Sequence, residues 1–278
     1  MCFLPPLSLL SLSEKKRSPQ IGTEASLGNI DLETLPVTYQ ATEHLFSVAG
    51  KTPGQVSLAR SNEWEWVVTH VNEVELKKPF PFCTSGVHRV YTILGEPEPP
   101  WNNTYGSPQN AWVSALDFAC DWASGSSSEA NAVSQITTSA YTKFGKTYNG
   151  FISHTFANIC LLTDLLADSD VDCRDMSAVV FLFTRLIGGT TVRICRVNGF
   201  FEYKKLRPIG LTSAWETGTW GFHQFGWYDG KVYDACVMLN ETNPYIPVND
   251  DLNTNYKSNV WSSGDWIPLL PFELVNFQ

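Results

Sequence analysis

The sequence has few basic residues and no long apolar run. Its 278 residues include 19 Lys and Arg against 28 Asp and Glu, which gives a formal net charge of −9. Because like charges repel, neither a nucleic-acid backbone nor an anionic membrane is an expected partner. No stretch reaches the roughly 18 consecutive apolar residues that a membrane-spanning helix needs. The sequence therefore predicts neither a nucleic-acid partner nor a membrane span.

The sequence also lacks the patterns that hold metals. None of its seven cysteines forms a CxxC pair, which leaves a thiolate zinc site without support. No acidic loop has the ligand spacing of a calcium site, so we expect neither a metal nor another cofactor. The odd number of cysteines leaves at least one thiol without a disulfide partner in the chain. Their irregular spacing does not indicate a redox compartment, so localisation and oligomeric state stay open.

Composition and patterning divide the chain into four parts. Residues 1–35 show no sustained period and no positively charged start, so we expect a disordered leader rather than a cleaved signal peptide. Over residues 36–100, QVSLAR, EWEWVVTHV and HRVYTIL alternate apolar and polar residues, which predicts a β-rich module. The main domain is expected at 101–245. Residues 246–278 are expected to pack on it as a C-terminal extension with few regular elements.

The main domain is predicted to contain helices followed by strands. PQNAWVSALDFACDWA and SEANAVSQITTSAYTKF have helical spacing, and FANICLLTDLLADS indicates a short helix that holds Cys160 in its core. The next segment, VDCRDMSAVVFLFTRLIGG, leaves almost no polar face between its aspartates and its terminal glycines. A helix that is apolar all round is buried, so this segment is predicted to be the central helix. TTVRICRV then predicts a strand.

Cys173 stands at the start of the predicted central helix. A thiol there lies near unpaired backbone N–H groups and the positive end of the helix dipole, which favours a thiolate. Asp172 and Asp175 oppose that effect, and Arg174 supports it. The helix start alone is therefore insufficient, and a nucleophilic role requires a histidine partner and a third group that orients the histidine.

Among the five histidines, His223 has a predicted orienting partner, because a hairpin places a carboxylate beside it. In GFHQFGWYDGKVYDACVML, Asp229-Gly230 separates two β-like runs and predicts a two-residue turn. Counting outward from the turn places His223 opposite Cys236, so His223 and Asp234 project from the same face as diagonal neighbours. A slip of one residue would put them on opposite faces. The sequence thus predicts a site made of Cys173, His223 and Asp234, with Cys236 as a rival nucleophile.

The order of these features resembles the transglutaminase-like branch of the papain-like cysteine enzymes, from roughly residue 108 to residue 239. That order is a cysteine at a buried helix start, a glycine-terminated helix, a strand with arginine, a histidine strand and an aspartate strand. SQITTSAYTKFGKTYNG also looks like the segment that precedes the cysteine in that family. The resemblance implies an α+β fold with the helix packed on an antiparallel sheet. It also implies that Cys173 is the nucleophile, His223 the general base and acid, and Asp234 the orienting residue.

The reaction that this resemblance implies is acyl transfer from an amide bond of a protein or peptide substrate. Hydrolysis, deamidation and crosslinking are equally compatible with the residues. The backbone N–H of Cys173 is the expected first donor to the oxyanion. An indole N–H from Trp101 or Trp112 is the expected second donor.

Three departures from the family pattern favour a different function. Asp172 precedes the cysteine, Arg174 follows it, and Gln224-Phe225 stands where the family has Ala-Trp. These residues favour a binding or particle-associated structural protein that keeps the fold without the chemistry. A single buried cysteine is also, in general, a packing residue.

Overall fold

The computed structural model describes residues 10–17, 26–31, 54–71, 74–84, 87–102, 113–239 and 248–277. The chain divides into two compact units, one comprising Met1–Pro53 and Leu58–Tyr91 and the other comprising Gly54–Ser57 and Thr92–Gln278. The predicted boundary at residue 100 therefore lies inside the second unit, which also contains the predicted C-terminal extension. Within the described ranges, no helix is both long enough and apolar enough to cross a bilayer.

The first unit is built on a sheet of long strands. These strands are β1 (Leu10–Arg17), β2 (Ser26–Asp31), β3 (Ser57–Val71), β4 (Val74–Thr84) and β5 (His88–Thr92). Their order is β2-β1-β3-β4 with antiparallel pairing, and β5 also pairs with β3. The predicted strands in EWEWVVTHV and HRVYTIL are confirmed as parts of β3 and β5.

The structure differs from the predicted leader at residues 1–35, because β1 and β2 lie there. β1 pairs with β3 from Leu10 opposite Val71 to Arg17 opposite Glu63. Only the LSLS portion of β1 alternates in polarity, which is too short to predict a strand by itself. β3 supplies hydrogen-bond partners for the backbone of β1, and the local sequence pattern of β1 does not show this contribution.

The second unit combines helices with an antiparallel sheet. Its helices are α1 (Val113–Trp122), α2 (Glu129–Lys143), α3 (Leu162–Ala167), α4 (Cys173–Leu186) and α5 (Lys257–Val260), with a π-helical turn at Leu252–Tyr256. Its strands are β6 (Thr147–Tyr148), β7 (Thr155–Phe156), β8 (Ile159–Cys160), β9 (Asp170–Val171), β10 (Arg193–Tyr203), β11 (Leu206–Pro208), β12 (Gly218–Tyr228), β13 (Lys231–Tyr233), β14 (Val237–Leu239), β15 (Val248–Asp251), β16 (Trp261–Gly264), β17 (Ile267–Pro268) and β18 (Asn276–Phe277). The main sheet has the order β15-β13-β12-β10-β16, and β17 also pairs with β10. The predicted mixture of α and β structure with an antiparallel sheet is confirmed.

Helix α4 is the buried centre of the second unit, as predicted. Every residue of α4 except Arg174 is buried. The helix packs against β12, α1 and α2, which accounts for its lack of a polar face. β12 approaches it closely at Gly226, where a Cβ atom would lie 2.6 Å from Cγ1 of Val180. A side chain at this position would push apart the two elements that carry the predicted cysteine and histidine.

The C-terminal segment contains more regular structure than predicted. Its described part, 248–277, supplies β15, β16 and β17 to the main sheet and adds the π-helical turn and α5. Elements of two to five residues are too short to produce a periodic signal, so the sequence does not reveal them. Cys160 also differs from the prediction, because it lies in β8 rather than in a helix.

Candidate active site

The first turn of α4 is fixed by two aspartates. Oδ1 of Asp172 accepts hydrogen bonds from the backbone N–H groups of Arg174, at 2.8 Å, and Asp175, at 3.1 Å. Asp175 forms the reciprocal hydrogen bond, since its Oδ2 accepts from the backbone N–H of Asp172 at 3.3 Å. This reciprocal arrangement is a capping box, and it makes Cys173 the first residue of the helix. Asp172 is thus a helix cap, which explains its place directly before the cysteine.

Arg174 balances the charge of the capping aspartate. Its Nη2 and Nε atoms each lie 2.7 Å from Oδ2 of Asp172. Burial and the neighbouring Asp175 raise the pKa of Asp172, while Arg174 opposes that rise. The residues on either side of Cys173 therefore form an ion pair with each other.

The hairpin that carries His223 has the predicted two-residue turn, and its register follows the prediction as far as Gly226 opposite Tyr233. Tyr228 pairs with Lys231, and the pairing continues to Gly226 opposite Tyr233. Asp229 and Gly230 have φ angles of 49° and 80°, as a two-residue turn with left-handed backbone requires. Regular pairing ends at Tyr233, so the predicted pairing of His223 with Cys236 is not part of the ladder, and Asp234 lies just beyond the strand.

His223 and Asp234 form a buried pair, as the hairpin predicts. Nε2 of His223 lies 2.8 Å from Oδ2 of Asp234, and both side chains are almost inaccessible to solvent. The backbone N–H of Cys236 donates to Oδ1 of Asp234 at 2.7 Å, and the hydroxyl of Tyr256 donates to Oδ2 at 2.7 Å. The carboxylate is thus held by three donors. Sequence reasoning did not identify Tyr256, which lies in the π-helical turn of the C-terminal segment.

Cys173 interacts with the imidazole ring of His223. Burial favours the neutral ring, but the charge and hydrogen bond of Asp234 act in the opposite direction, and a hydrogen bond and negative charge at Cys173 add to them. Together they raise the pKa of His223 to about 10. Since Asp234 occupies Nε2, Nδ1 is the ring nitrogen left for the sulfur. The imidazole of His223 thus neighbours both Asp234 and Cys173.

Cys120, Cys160, Cys195 and Cys236 are buried more deeply than Cys173. Cys173 keeps 4% exposure, whereas Cys236, Cys120 and Cys160 are fully buried. Burial is also the first cause that raises the pKa of Cys120 and Cys160 to about 12 and that of Cys236 well above its usual value. Asp234 adds to the effect at Cys236. A protonated, inaccessible thiol is a poor nucleophile, so the geometry disfavours Cys236 as the rival.

The indole donors expected for an oxyanion need correction. Nε1 of Trp101 donates to the backbone carbonyl of Leu182 at 2.7 Å, in the second half of α4. It is therefore committed to a site several turns from Cys173. Trp112 lies outside the described residues. The backbone N–H of Cys173 remains an expected donor, because the first N–H groups of a helix have no partner within it.

A row of aromatic rings extends from His223 toward the start of α4. Trp220 stacks on His223, with centroids 4.4 Å apart and an interplanar angle of 16°. The row continues through Tyr203, Trp215 and Tyr148, with successive centroid distances of 4.5, 6.0 and 5.0 Å. Trp220 thus covers the histidine ring, although the sequence lacks a tryptophan directly after that histidine. The row gives the site an apolar wall.

A second histidine, His154, also contacts carboxylates near the start of α4. Its Nδ1 lies 3.1 Å from Oδ2 of Asp175, and its Nε2 lies 3.3 Å from Oδ2 of Asp168. Its backbone N–H donates to Oδ1 of Asp175 at 2.8 Å, and the hydroxyl of Ser153 donates to Asp172 at 3.2 Å. These contacts attach the preceding loop to the capping box. Over the described ranges, His, Cys, Asp and Glu side chains form no group suited to a metal ion.

Comparison with known proteins adds no family assignment. No protein-family model matches the chain, and neither the curated proteins nor the solved structures contain a match.

Proposed function

We propose that the second unit catalyses thiol-dependent acyl transfer from amide bonds, with Cys173, His223 and Asp234 as a transglutaminase-like triad. The observation that carries the proposal is the buried His223–Asp234 contact of 2.8 Å with Cys173 on the same imidazole ring. A cysteine that only fills the core does not require a neighbouring histidine oriented by a carboxylate. A cysteine nucleophile requires both the histidine, as its base, and the carboxylate that orients the histidine.

In the first half of the reaction, His223 holds the thiol proton on Nδ1, and the thiolate of Cys173 attacks the amide carbonyl carbon. The carbonyl oxygen becomes an oxyanion, and the backbone N–H of Cys173 is placed to donate to it. The C–N bond then breaks as His223 returns its proton to the leaving nitrogen. The products are a thioester on Cys173 and a free amine or ammonia.

In the second half, a water molecule or an amine attacks the thioester. His223 accepts a proton from the attacking group and keeps it, the C–S bond breaks, and Cys173 leaves as the thiolate. Water gives a carboxylic acid, which is hydrolysis or deamidation, and an amine gives a new amide. Asp234 accepts the hydrogen bond from Nε2 throughout and keeps the ring oriented.

A second candidate function is binding without chemistry. The observation in its favour is the low exposure of the sulfur, since only 4% of Cys173 is accessible. On this alternative, the His223–Asp234 pair stabilises the hairpin, and the protein acts as a binding or particle-associated structural protein.

The pH dependence of alkylation at each cysteine distinguishes the two. The intact protein is treated with iodoacetamide over about pH 5 to 9, and each labelled peptide is quantified by mass spectrometry. We expect Cys173 to be labelled first, already at mildly acidic pH, where an ordinary thiol reacts slowly. A Cys236→Ala variant serves as the control and keeps the profile of Cys173. Peptides with reporter amides then test turnover, with Cys173→Ala as the inactive variant.

Labelling of Cys173 no faster than that of N-acetylcysteine at every pH would overturn the enzymatic proposal. The binding alternative would then be preferred.

A further inference from the structure

Arg196 lies on the strand next to the candidate triad. In the pairing of β10 with β12, Val197 stands opposite His223 and Arg196 opposite Gln224. Nε2 of Gln224 donates to the hydroxyl of Ser177 at 2.8 Å, one helical turn after Cys173. The register therefore places Arg196 beside the first turns of α4.

Arg196 and Arg174 contact the same aromatic ring. Cζ of Arg196 lies 3.8 Å from the ring centroid of Phe222, and Cζ of Arg174 lies 5.7 Å from it. Since Arg174 lies in the first turn of α4 and its guanidinium contacts the capping Asp172, the shared ring places the Arg196 guanidinium beside that turn as well. Burial lowers the pKa of Arg196, negative charge at Cys173 raises it, and Arg174 lowers it further.

The two arginines differ in their partners. Arg174 is paired with Asp172. Within the part of the chain that the structure describes, Arg196 has no carboxylate partner, and its buried Nε has no hydrogen-bond acceptor. Two residues along the strand, the buried Oδ1 of Asn198 has no hydrogen-bond donor in that same part. Residues two apart in a strand share a face, so an unused donor and an unused acceptor lie side by side.

An unpaired, partly buried guanidinium is costly, and its planar fork matches a carboxylate. We propose that Arg196 binds a carboxylate of the substrate next to the scissile amide, while Oδ1 of Asn198 accepts an N–H group from the same part of the substrate. This inference rests on the proposed acyl transfer and specifies its substrate class as acidic peptides. The carboxylate can belong to an acidic side chain or to the end of a peptide chain.

Two alkylating reagents of nearly equal shape test the carboxylate site on the intact protein. Iodoacetate carries a carboxylate where iodoacetamide carries an amide. For Arg196→Gln, we expect the rate constant of iodoacetate at Cys173 to fall about tenfold and that of iodoacetamide to change by less than about twofold. The matched control is Arg193→Gln on the same strand, because Nε of Arg193 is already paired with Glu273 at 2.6 Å. We expect this variant to react with both reagents as the wild type does.

The outcomes separate the inference from the function on which it rests. If Arg196→Gln slows both reagents equally, Arg196 acts on the sulfur and the carboxylate site is overturned while the enzymatic proposal stands. If wild-type Cys173 reacts no faster than N-acetylcysteine with either reagent, the enzymatic proposal fails and the inference fails with it.

A second measurement needs only the wild type and distinguishes the two sources of the carboxylate. Small amides are tested for protection of Cys173 against iodoacetamide. N-acetylglycine against N-acetylglycinamide tests a chain-terminal carboxylate, and N-acetylglutamate α-amide against N-acetylglutamine α-amide tests an acidic side chain. We expect the anion of one pair to protect at about a tenfold lower concentration than its neutral counterpart. Equal protection within both pairs would overturn the inference even if Arg196→Gln does not fold.

Discussion

Two buried histidines contact aspartates near the start of α4, and they use their ring nitrogens differently. His154 engages both nitrogens with carboxylates, Nδ1 with Asp175 and Nε2 with Asp168. His223 engages only Nε2 with a carboxylate and has Cys173 as its other neighbour. A histidine can transfer a proton only through a nitrogen that a carboxylate does not occupy. The first pair therefore suits attachment of a loop, and the second suits chemistry.

The comparison also shows that the same two residue types can have different roles. Histidine with a fully buried aspartate occurs in both regions, so the pair alone does not identify a catalytic base. The third contact decides, and it is a carboxylate for His154 and a thiol for His223. We therefore expect variants of His154 and Asp175 to lose stability, and variants of His223 and Asp234 to lose reactivity at Cys173.

The largest expected effect is that of His223→Ala on the alkylation of Cys173. Without the imidazolium, the thiolate loses its stabilising charge, and we expect the rate with iodoacetamide at mildly acidic pH to fall about a hundredfold. His154→Ala is the matched variant, and we expect it to reduce stability while changing the rate by less than about threefold. Peptide mapping by mass spectrometry gives the rates, and urea unfolding gives the stabilities. Equal losses of rate in the two variants would remove the distinction between the regions.

The aspartates should show a smaller contrast of the same kind. In Asp234→Asn, the side-chain amide donates to Nε2 of His223, which moves the ring proton to Nδ1 and blocks transfer from the sulfur. We expect the rate at Cys173 to fall by at least about tenfold. Asp175→Asn loses part of the capping box, so we expect it to lower the free energy of unfolding by about 1–2 kcal/mol and to leave the rate nearly unchanged. An unaltered rate in Asp234→Asn would argue against an orienting role for that carboxylate.

The smallest expected effect is a dependence of stability on pH that comes from His223 and is measured in Cys173→Ala. In the wild type, the proton that His223 holds is offset by the proton that Cys173 gives up as a thiolate, so we expect little net slope between about pH 7 and 8. In Cys173→Ala no thiolate offsets it, and Asp234 still raises the pKa of His223 above its ordinary value of 6.5. The folded variant therefore holds a proton that the unfolded chain releases, so this stability is complete below pH 6.5 and falls as the pH rises, by up to about 1.4 kcal/mol per pH unit.

Urea titrations of Cys173→Ala, alone and combined with His223→Gln or His154→Gln, measure this slope. The decrease should disappear when His223→Gln is added and persist when His154→Gln is added. The window ends near pH 8 because cysteine thiols of the unfolded chain ionise above it and add a slope of the same sign. A slope that survives in His223→Gln would assign it to another group.

The parts of the fold that the sequence predicts carry strong local signals. The central helix is apolar on every side, and the hairpin has a turn dipeptide with one favoured conformation, so both are predicted with their boundaries. The strands at residues 10–31 and the short strands after residue 247 form through pairing with distant segments, which leaves no local period. For this reason the predicted leader and the predicted irregular tail differ from the structure.

The residues of the candidate site also fall into two groups, those predicted from local features and those that reach the site through long-range contacts. Cys173, His223 and Asp234 follow from a helix start and a turn length, which are local features. Tyr256 reaches Asp234 from 22 residues further along the chain, and Arg196 reaches the site through strand register. Trp101 was an expected donor by residue type, but a backbone carbonyl of α4 is its partner. Long-range partners of this kind require the folded chain.

The two-residue turn at Asp229-Gly230 sets the spacing between a candidate base and its carboxylate. Replacement of either residue by asparagine or glycine keeps the left-handed backbone and therefore the spacing. One additional residue would reverse the faces of the strand that follows and carry Asp234 away from His223. A gene for this protein could thus tolerate base changes in the two codons of the turn, while an in-frame insertion of a single codon between them would separate the candidate base from its carboxylate.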